Sequence, residues 1–427
     1  MFATIRNAWK IADLRKKIIF TFFILLIFRL GAAIPVPYVN VDMLTQYFNA
    51  ELSGTILGLY NAMSGSAFSQ ATTFALGIQP YINASIIIQL LCIAIPYLER
   101  LSKDGGEEGK KKLERITRYT TLGLALLMGW AYYMMLKNNS GILTETGFLY
   151  GLVIVMTFTG GACLVMWLGE QIDQFGIGNG ISMILFAGII SRIPSQVGAL
   201  ITGLTTGSLK WYIALLLLVG VAVLVVVIVF ITNSECRIPV QYAKRMVGRK
   251  MYGGQSTFLP VKVAMSGVMP VIFASSILFI PQFIQFFWNP SEGFGRALLD
   301  AFSSSGWLYV VLYFFLILMF AYFYMSIQYN PLEMANNLRQ NNGTIPGIRP
   351  GKPTADFIAK ILSKVTLIGA LFLAFVALVP IIYTNVTGMY GLSMGGTSII
   401  IIVGVALETV KQLESQMMLR HYKGFLD

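Results

Sequence analysis

Long apolar runs separated by short polar segments extend over the whole chain. Ten of these runs approach or exceed the roughly 20 residues that a helix needs to cross the hydrocarbon core of a bilayer. Arg192 and Pro194 interrupt the fifth run. The predicted spans are Ile18–Ile34, Phe74–Ile95, Tyr119–Leu136, Phe148–Leu168, Ile181–Leu204, Trp211–Ile231, Ala264–Phe287, Trp307–Gln328, Val365–Tyr383 and Thr397–Leu413.

The composition excludes an ordinary soluble domain. Of the 427 residues, 56% are hydrophobic and only 12% are charged, which is typical of a multi-pass membrane protein. The net charge of +12 is explained by topology rather than by a nucleic-acid partner. With the N-terminus placed in the cytoplasm, 26 of the 31 Lys and Arg residues fall on the cytoplasmic side. This asymmetry satisfies the positive-inside rule and predicts that both termini are cytoplasmic.

The ten spans divide into two sets of five, in residues 1–204 and residues 205–427. Because each half has an odd number of spans, the second half would enter the membrane upside down relative to the first. The predicted fold class is therefore all-α, with ten transmembrane helices arranged in two inverted halves.

The stretch Phe74–Pro96 combines an apolar face with an uncharged polar face. On a helical wheel, Gln79, Asn83 and Gln89 lie together on one side, next to Ile82. Amide side chains at membrane depth need partners or water. The amides therefore either line a wet or protein-packed interior or hold two buried helices together, and the residues alone do not decide between these alternatives.

The first long loop, Pro35–Thr73, contains no Lys or Arg and is rich in Gly, Ser and Ala. Its apolar run is too short to cross a membrane, but the small side chains allow close packing. Two interpretations remain open for this loop. It folds back as a short helix into a cavity, or it lies on the external surface.

Two cytoplasmic loops are longer than a simple connection requires. The loop at about 232–263 alternates apolar and polar residues around Gly253 and Gly254, which is typical of a short β-hairpin with a basic tip. The loop at about 329–364 clusters Pro and Gly near Arg349. These loops either form a docking surface for a partner or only enforce topology and contact anionic lipid.

Motifs for catalysis and cofactor binding fail on inspection. Gly347–Lys352 resembles a phosphate loop, but its glycine spacing is short and Pro353 occupies the Ser/Thr position. The glycine-rich segment Gly176–Gly180 precedes a span instead of following a strand, so we interpret it as a flexible turn. His421 is the single histidine, which leaves no partner for a histidine-based metal site. We therefore predict no catalytic residues, no metal site and no enzyme activity.

Several long stretches resemble the SecY family of protein-translocation channel subunits. The similarity is in chain order and covers nearly the whole sequence. The stretches that carry it include FALGIQPYINASIIIQLL, WLGEQIDQFGIGNGISMILFAGI, VQYAKR with GQSTFLPVKV, SGVMPVIFASSILF, NPLEMANNLR with PGIRPG, and GGTSIIIIVGVALETVKQLESQ.

The resemblance implies a central hourglass pore that is closed by a ring of apolar side chains and by a plug. The plug would come from about residues 53–73, and spans 2 and 7 would form a lateral gate. By motif position, the pore ring would be Ile82, Ile86, Leu185, Ile272 and Ile401; the plug Leu57, Tyr60, Asn61, Met63, Ser64, Gly65 and Ser66; and the gate Gln89, Ser275 and Ser276.

The resemblance also implies a function and a set of partners. The expected function is a passive channel that passes unfolded secretory polypeptides across the cell membrane and releases hydrophobic segments into lipid. Small subunits similar to SecE and SecG, the SecA motor ATPase, the ribosome and nascent polypeptides would be its partners, and no cofactor is expected. Docking would use Lys244, Arg245, Arg249, Lys250, Arg339 and Arg349. The alternative from the residues alone is a small-solute secondary transporter with inverted repeats.

Overall fold

The fold was analysed in a computed structural model of the chain. The structure describes residues 2–52, 56–103, 105–139, 141–145, 147–206, 210–242, 245–247, 250–252, 256–264, 267–287, 306–387 and 396–423. These residues are mostly helical, which confirms the predicted fold class, and the short strands are confined to the two long loops predicted to be cytoplasmic.

The helices of the first half follow the predicted spans, with two additional short helices in the long loop after the first span. In chain order they are α1 (Phe2–Lys10), α2 (Ala12–Gly31), α3 (Val41–Tyr47), a π-helical turn (Phe48–Leu52), α4 (Ile56–Met63), α5 (Gln79–Ala94), α6 (Pro96–Lys103), α7 (Gly106–Asn138), α8 (Phe148–Phe175), α9 (Gly180–Ile190) and α10 (Ile193–Thr205).

The second half contains the remaining helices and five strands. In chain order they are α11 (Trp211–Asn233), β1 (Glu235–Tyr242), β2 (Arg245–Val247), β3 (Lys250–Tyr252), β4 (Ser256–Lys262), α12 (Met269–Phe287), α13 (Trp307–Gln328), α14 (Pro331–Gln340), β5 (Gly343–Thr344), α15 (Lys352–Thr387) and α16 (Gly396–Lys423).

A helix covers most of each predicted span, but two spans differ from the prediction. Span 2 begins as a helix only at Gln79, with Pro80 in the first turn, where its missing N–H costs no hydrogen bond. Its helix α5 continues into α6 through a bend of 107°. Span 5 is divided into α9 and α10 at Ser191 and Arg192, just before Pro194. By length and hydropathy alone, five described helical segments are long and apolar enough to cross a membrane, with α9 and α10 counted as one and α13 and α14 as one, or up to six when the bent pair is included.

The loop between spans 1 and 2 is re-entrant. Its two ends are joined by an antiparallel bridge between Pro35 and Thr72 and by a 2.8 Å hydrogen bond from the Thr73 amide to the Ile34 carbonyl. The chain therefore leaves and returns at the same place, and the intervening segment containing α3 and α4 folds inward between the spans.

The two long loops of the second half share one sheet with strand order β4–β1–β5. Strand β1 pairs antiparallel with β4, from Glu235 opposite Lys262 to Gln241 opposite Ser256. The short β5 adds Thr344 opposite Gln241 from the other side. We call β1, β4 and β5 the loop sheet. Its hydrophobic side covers a small cluster, the loop core, made of Ile238, Val240, Val261, Leu338, Ile345, Ile358, Leu362 and Val365.

The predicted hairpin is confirmed in kind by antiparallel strand pairing in this loop. Strand β1 pairs with β4, and between them β2 pairs antiparallel with β3, with Val247 opposite Lys250. Gly253 and Gly254, where the turn was expected, lie outside the described residues.

The glycine-rich segment at 176–180 forms the predicted turn, and hydrogen bonds tie it to α8 and α16. The Gly180 amide donates a 2.7 Å hydrogen bond to the Asp173 carboxylate of α8. The Gly178 amide donates a 2.6 Å bond to the Gln412 side chain of α16, and Gly178 has a φ of +88° that favours glycine. The turn therefore connects the first half of the chain to the last helix.

Candidate pore, plug and gate

Four helices bring the predicted pore-ring residues into one apolar cluster. Helix α5 supplies two of them one turn apart, and α9, α12 and α16 supply one each. All five side chains are at most 4% exposed, and all belong to the same cluster of buried hydrophobic residues, which we call the pore cluster. The five are Ile82, Ile86, Leu185, Ile272 and Ile401.

A cavity of about 360 Å³ extends from the loop sheet to this ring. Its lining includes Pro260 of β4 at one end and the ring residue Ile272 at the other. Charged side chains, among them Lys262, Glu408 and Lys411, also border it. The lining of this cavity therefore joins polar and charged groups near the loop sheet to the predicted ring residue Ile272.

The predicted plug residues are buried inside the bundle. Of the seven, six are buried and Ser66 is partly exposed; Leu57 and Tyr60, for example, are 3% and 2% exposed. An external surface loop would leave such side chains in contact with water. The structure thus favours the inserted helix α4 over the surface loop that the sequence left open.

Hydrogen bonds and ring contacts fix the plug to its surroundings. The Tyr60 hydroxyl donates a 2.6 Å bond to the Leu76 carbonyl, and the Ser69 amide donates a 2.9 Å bond to the Asn61 side chain. The Tyr60 ring also packs edge-on against Phe279 of α12, with ring centroids 5.2 Å apart. Through this one residue, the plug contacts both the first half and the helix expected to form one side of the gate.

The predicted plug approaches α9 at a pair of glycines, of which the sequence analysis named Gly65 as a plug residue and missed Gly188. A Cβ atom at Gly188 would overlap the Met63 carbonyl oxygen, and one at Gly65 would lie 2.7 Å from the Ser191 hydroxyl oxygen. Gly65 also has a φ of +70°, and its carbonyl accepts a 3.4 Å hydrogen bond from the Arg29 guanidinium of α2. Glycines within an apolar span are a signal for such close approach.

The predicted gate helices α5 and α12 pack against each other, but the polar gate residues do not bridge them. The Gln89 amide donates a 3.3 Å bond to Ser85 of its own helix, and Ser275 donates a 2.8 Å bond to the Ile272 carbonyl of its own helix. The buried Ser276 hydroxyl has no partner among the described residues. The seam between α5 and α12 therefore rests on apolar packing at these positions.

The three amides of span 2 do not share one role. They neither all line a wet interior nor all join two buried helices. Asn83 faces Met128 of α7, with 4.0 Å between the amide nitrogen and the sulfur, whereas Gln89 bonds within its own helix. Gln79 is turned toward the plug and is 4% exposed. Its amide has no partner among the described residues.

The predicted docking residues are only partly within the described chain. Arg339, in the last turn of α14, and Arg349, just before α15, are both exposed. The Arg349 carbonyl accepts a 2.8 Å bond from the Thr354 hydroxyl, which fixes the backbone at the start of α15. Lys244 and Arg249 lie outside the described residues, and Arg245 and Lys250 are described only as backbone within β2 and β3.

Comparison with known proteins agrees with this architecture. The SecY family model matches residues 72–410. The translocase subunit SecY of Mycobacterium tuberculosis strain H37Rv is 42% identical over the whole length of both chains, and that of Streptomyces griseus is 44% identical over the same extent.

Solved structures show the same fold at lower sequence identity. One described as a protein-conducting channel has a TM-score of 0.68 and 18% identity, covering 94% of this chain and 92% of its own. Sec61 from the canine ribosome-channel complex has a TM-score of 0.64 and 17% identity, with the same coverage. The chain therefore belongs to the SecY family of protein-translocase subunits, and its function is that of a protein-conducting channel rather than of an enzyme or a small-solute transporter.

Proposed function

We propose that the five ring residues form the constriction of the channel and that α4 is the plug that closes it. The observation that carries this proposal is the contact between ring and plug: the ring residue Leu185 and the plug residues Tyr60 and Met63 line the same small cavity. An apolar constriction resists wetting by ions and can still deform around a passing polypeptide.

The lateral gate in this proposal is the seam between α5 and α12. This proposal is supported by the described contacts of Gln89, Ser275 and Ser276, which form no hydrogen bond across the seam. Two helices held by apolar packing without fixed polar pairs separate at low cost in free energy. The two halves, residues 1–204 and 205–427, would move apart along this seam to release hydrophobic segments into lipid.

The loop sheet and the adjoining α14 would be the docking surface for partners. Two solved structures with this fold are bound to ribosomes: the canine Sec61 complex and the idle yeast Ssh1 complex on the 80S ribosome. Exposed Arg339 and Arg349 suit RNA phosphates or an acidic protein surface, because guanidinium groups bind both without reading sequence. We assign this surface to the SecA motor or a translating ribosome, with SecE- and SecG-like subunits completing the channel.

The charge distribution supports a location in the cell membrane. The concentration of Lys and Arg in the segments that carry the loop sheet favours a cytoplasmic position for these segments. Both termini would lie on that side of the cell membrane, and α4 would then enter the pore from the opposite, external side.

Reconstitution tests this proposal. The chain is combined in vesicles with SecE- and SecG-like subunits, and a secretory precursor is added with SecA and ATP. Protection of the precursor from external protease is expected only with ATP and SecA, while the Arg349→Glu variant lowers the rate and leaves the closed channel sealed. Failure under conditions in which a control channel is active, or saturable uptake of a small solute driven by an ion gradient, would contradict it.

A further inference from the structure

Gln79 is a fully desolvated amide beneath the plug. It lies in the first turn of α5 and is 4% exposed. Neither its amide nitrogen nor its amide oxygen has a hydrogen-bond partner among the described residues. Because a buried polar group without a partner loses its hydration and gains nothing in return, this arrangement raises the free energy of the plugged state.

The plug hydroxyls near Gln79 direct their protons to other acceptors. Gln79 shares a small cavity with Tyr60 and Ser64. The Tyr60 hydroxyl donates its proton to the Leu76 carbonyl. The Ser64 hydroxyl donates to the Asn61 carbonyl and accepts from the Phe68 amide.

Space at this position is also limited. The cavity measures about 10 Å³, which is at the lower limit for a single water molecule. Its remaining lining is mainly apolar, including Phe28, Ile184 and Leu185. A bound water would need two or more polar partners, and the protons of the nearby plug hydroxyls already go to other acceptors.

We propose that Gln79 is a plug-release residue whose amide is unpaired in the plugged channel and becomes hydrogen-bonded once the plug leaves. This inference rests on the plug function proposed above. A primary amide carries both donors and an acceptor, so the open pore lets it bond to water or to the peptide groups of a translocating polypeptide. Such bonds are independent of side-chain sequence, as a channel for many substrates requires. Gln79 thereby favours opening without contributing to the seal.

The test replaces the amide by an apolar side chain of similar length. Gln79→Met in the complete translocase complex removes the unpaired group while keeping the volume nearly constant. We expect the frequency of spontaneous opening in planar bilayers to fall about five-fold or more, the factor that corresponds to one unsatisfied polar group. Translocation of precursors with weak signal sequences should slow by a similar factor. Gln79→Leu should act in the same direction.

Gln174→Met is the matched control. Gln174 is an amide near the end of α8 and is exposed, so its replacement should leave the opening frequency unchanged. An unchanged or higher opening frequency in Gln79→Met would overturn the inference, the higher value showing that the amide holds the plug in place. Deletion of residues 57–66 distinguishes the plug proposal from the release-residue proposal. If the deletion raises the opening frequency, the plug proposal is supported whatever the result for Gln79→Met. If the deletion leaves the opening frequency unchanged, both proposals are wrong.

Discussion

Two of the hydrophobic clusters in the described part of the chain differ in what surrounds them. The loop core lies outside the spans, beneath the loop sheet, and includes Ile238, Val240 and Leu338. The pore cluster lies among the spans and includes both the ring and the plug. Both are built from the same types of side chain, but the seam between α5 and α12 in the pore cluster would open toward lipid, whereas the loop core would open toward water.

This difference separates a permanent contact from a reversible one. Opening the loop core would expose aliphatic side chains to water at about 25 cal/mol per Å². Where the seam between α5 and α12 opens, lipid tails are as apolar as the side chains they replace, so association of these two helices depends on packing and on a few hydrogen bonds. The loop sheet therefore suits a rigid docking surface, whereas the seam suits a part that separates and closes again.

The largest expected effect comes from breaking the loop core. Val240→Asp buries a carboxylate that has no cationic partner in the loop core, which should destabilise the loop sheet by at least about 3 kcal/mol. SecA-driven translocation should be lost and the loops should become sensitive to limited proteolysis, while ion leakage through the closed channel stays low. Gln241→Asp, at an exposed position on the same strand, is the control. A folded, active channel carrying Val240→Asp would refute the division between the two clusters.

The next effect comes from wetting the constriction. Ile86→Asn or Ile401→Asn removes about 2 kcal/mol of apolar side-chain burial and places a hydrogen-bonding group in the ring. Single-channel recordings should show roughly 30-fold more ion leakage, and the requirement for a strong signal sequence should relax. Ile87→Asn, one residue away and 38% exposed, should not leak. Equal leakage from Ile86→Asn and Ile87→Asn would show that Ile86 is not part of the seal.

The smallest effect comes from loosening the plug. Tyr60→Phe removes the hydroxyl that bonds to the Leu76 carbonyl but keeps the ring that packs against Phe279. A loss of about 1 kcal/mol predicts roughly five-fold more frequent opening, opposite in sign to Gln79→Met. Tyr97→Phe, at a 67% exposed position, is the control. If Tyr60→Phe opened less often than the unmodified channel, this hydrogen bond would not hold the plug.

The sequence predicted the spans well because membrane helices are long, continuous apolar runs. It placed the start of span 2 too early, at Phe74 instead of Gln79, because the turns that return from the plug are as apolar as the helix they precede. The break at Ser191 and Arg192 was visible only as a polar interruption.

Contacts between segments that are distant in the chain could not be predicted from the pattern of hydrophobic and polar residues. Strand β1 pairs with β5, which places Gln241 opposite Thr344. These residues are more than 100 positions apart in the chain, and β5 has only two residues. Likewise, the burial of the plug depends on Gly188, which is one small residue among many in an apolar helix. The isolation of Gln79 requires knowing that Tyr60 and Ser64 are already bonded elsewhere.

Crosslinking from the ring to a translocating polypeptide tests the central claim most directly. A photoreactive amino acid is placed at Ile86 or, as a control, at Ile87, and a secretory precursor is stalled during translocation. The account predicts a crosslink to the precursor from position 86, its absence from position 87, and its loss when the precursor lacks a signal sequence. A stalled precursor that crosslinks from neither position, or from position 87 alone, would contradict the assignment of the pore to these residues.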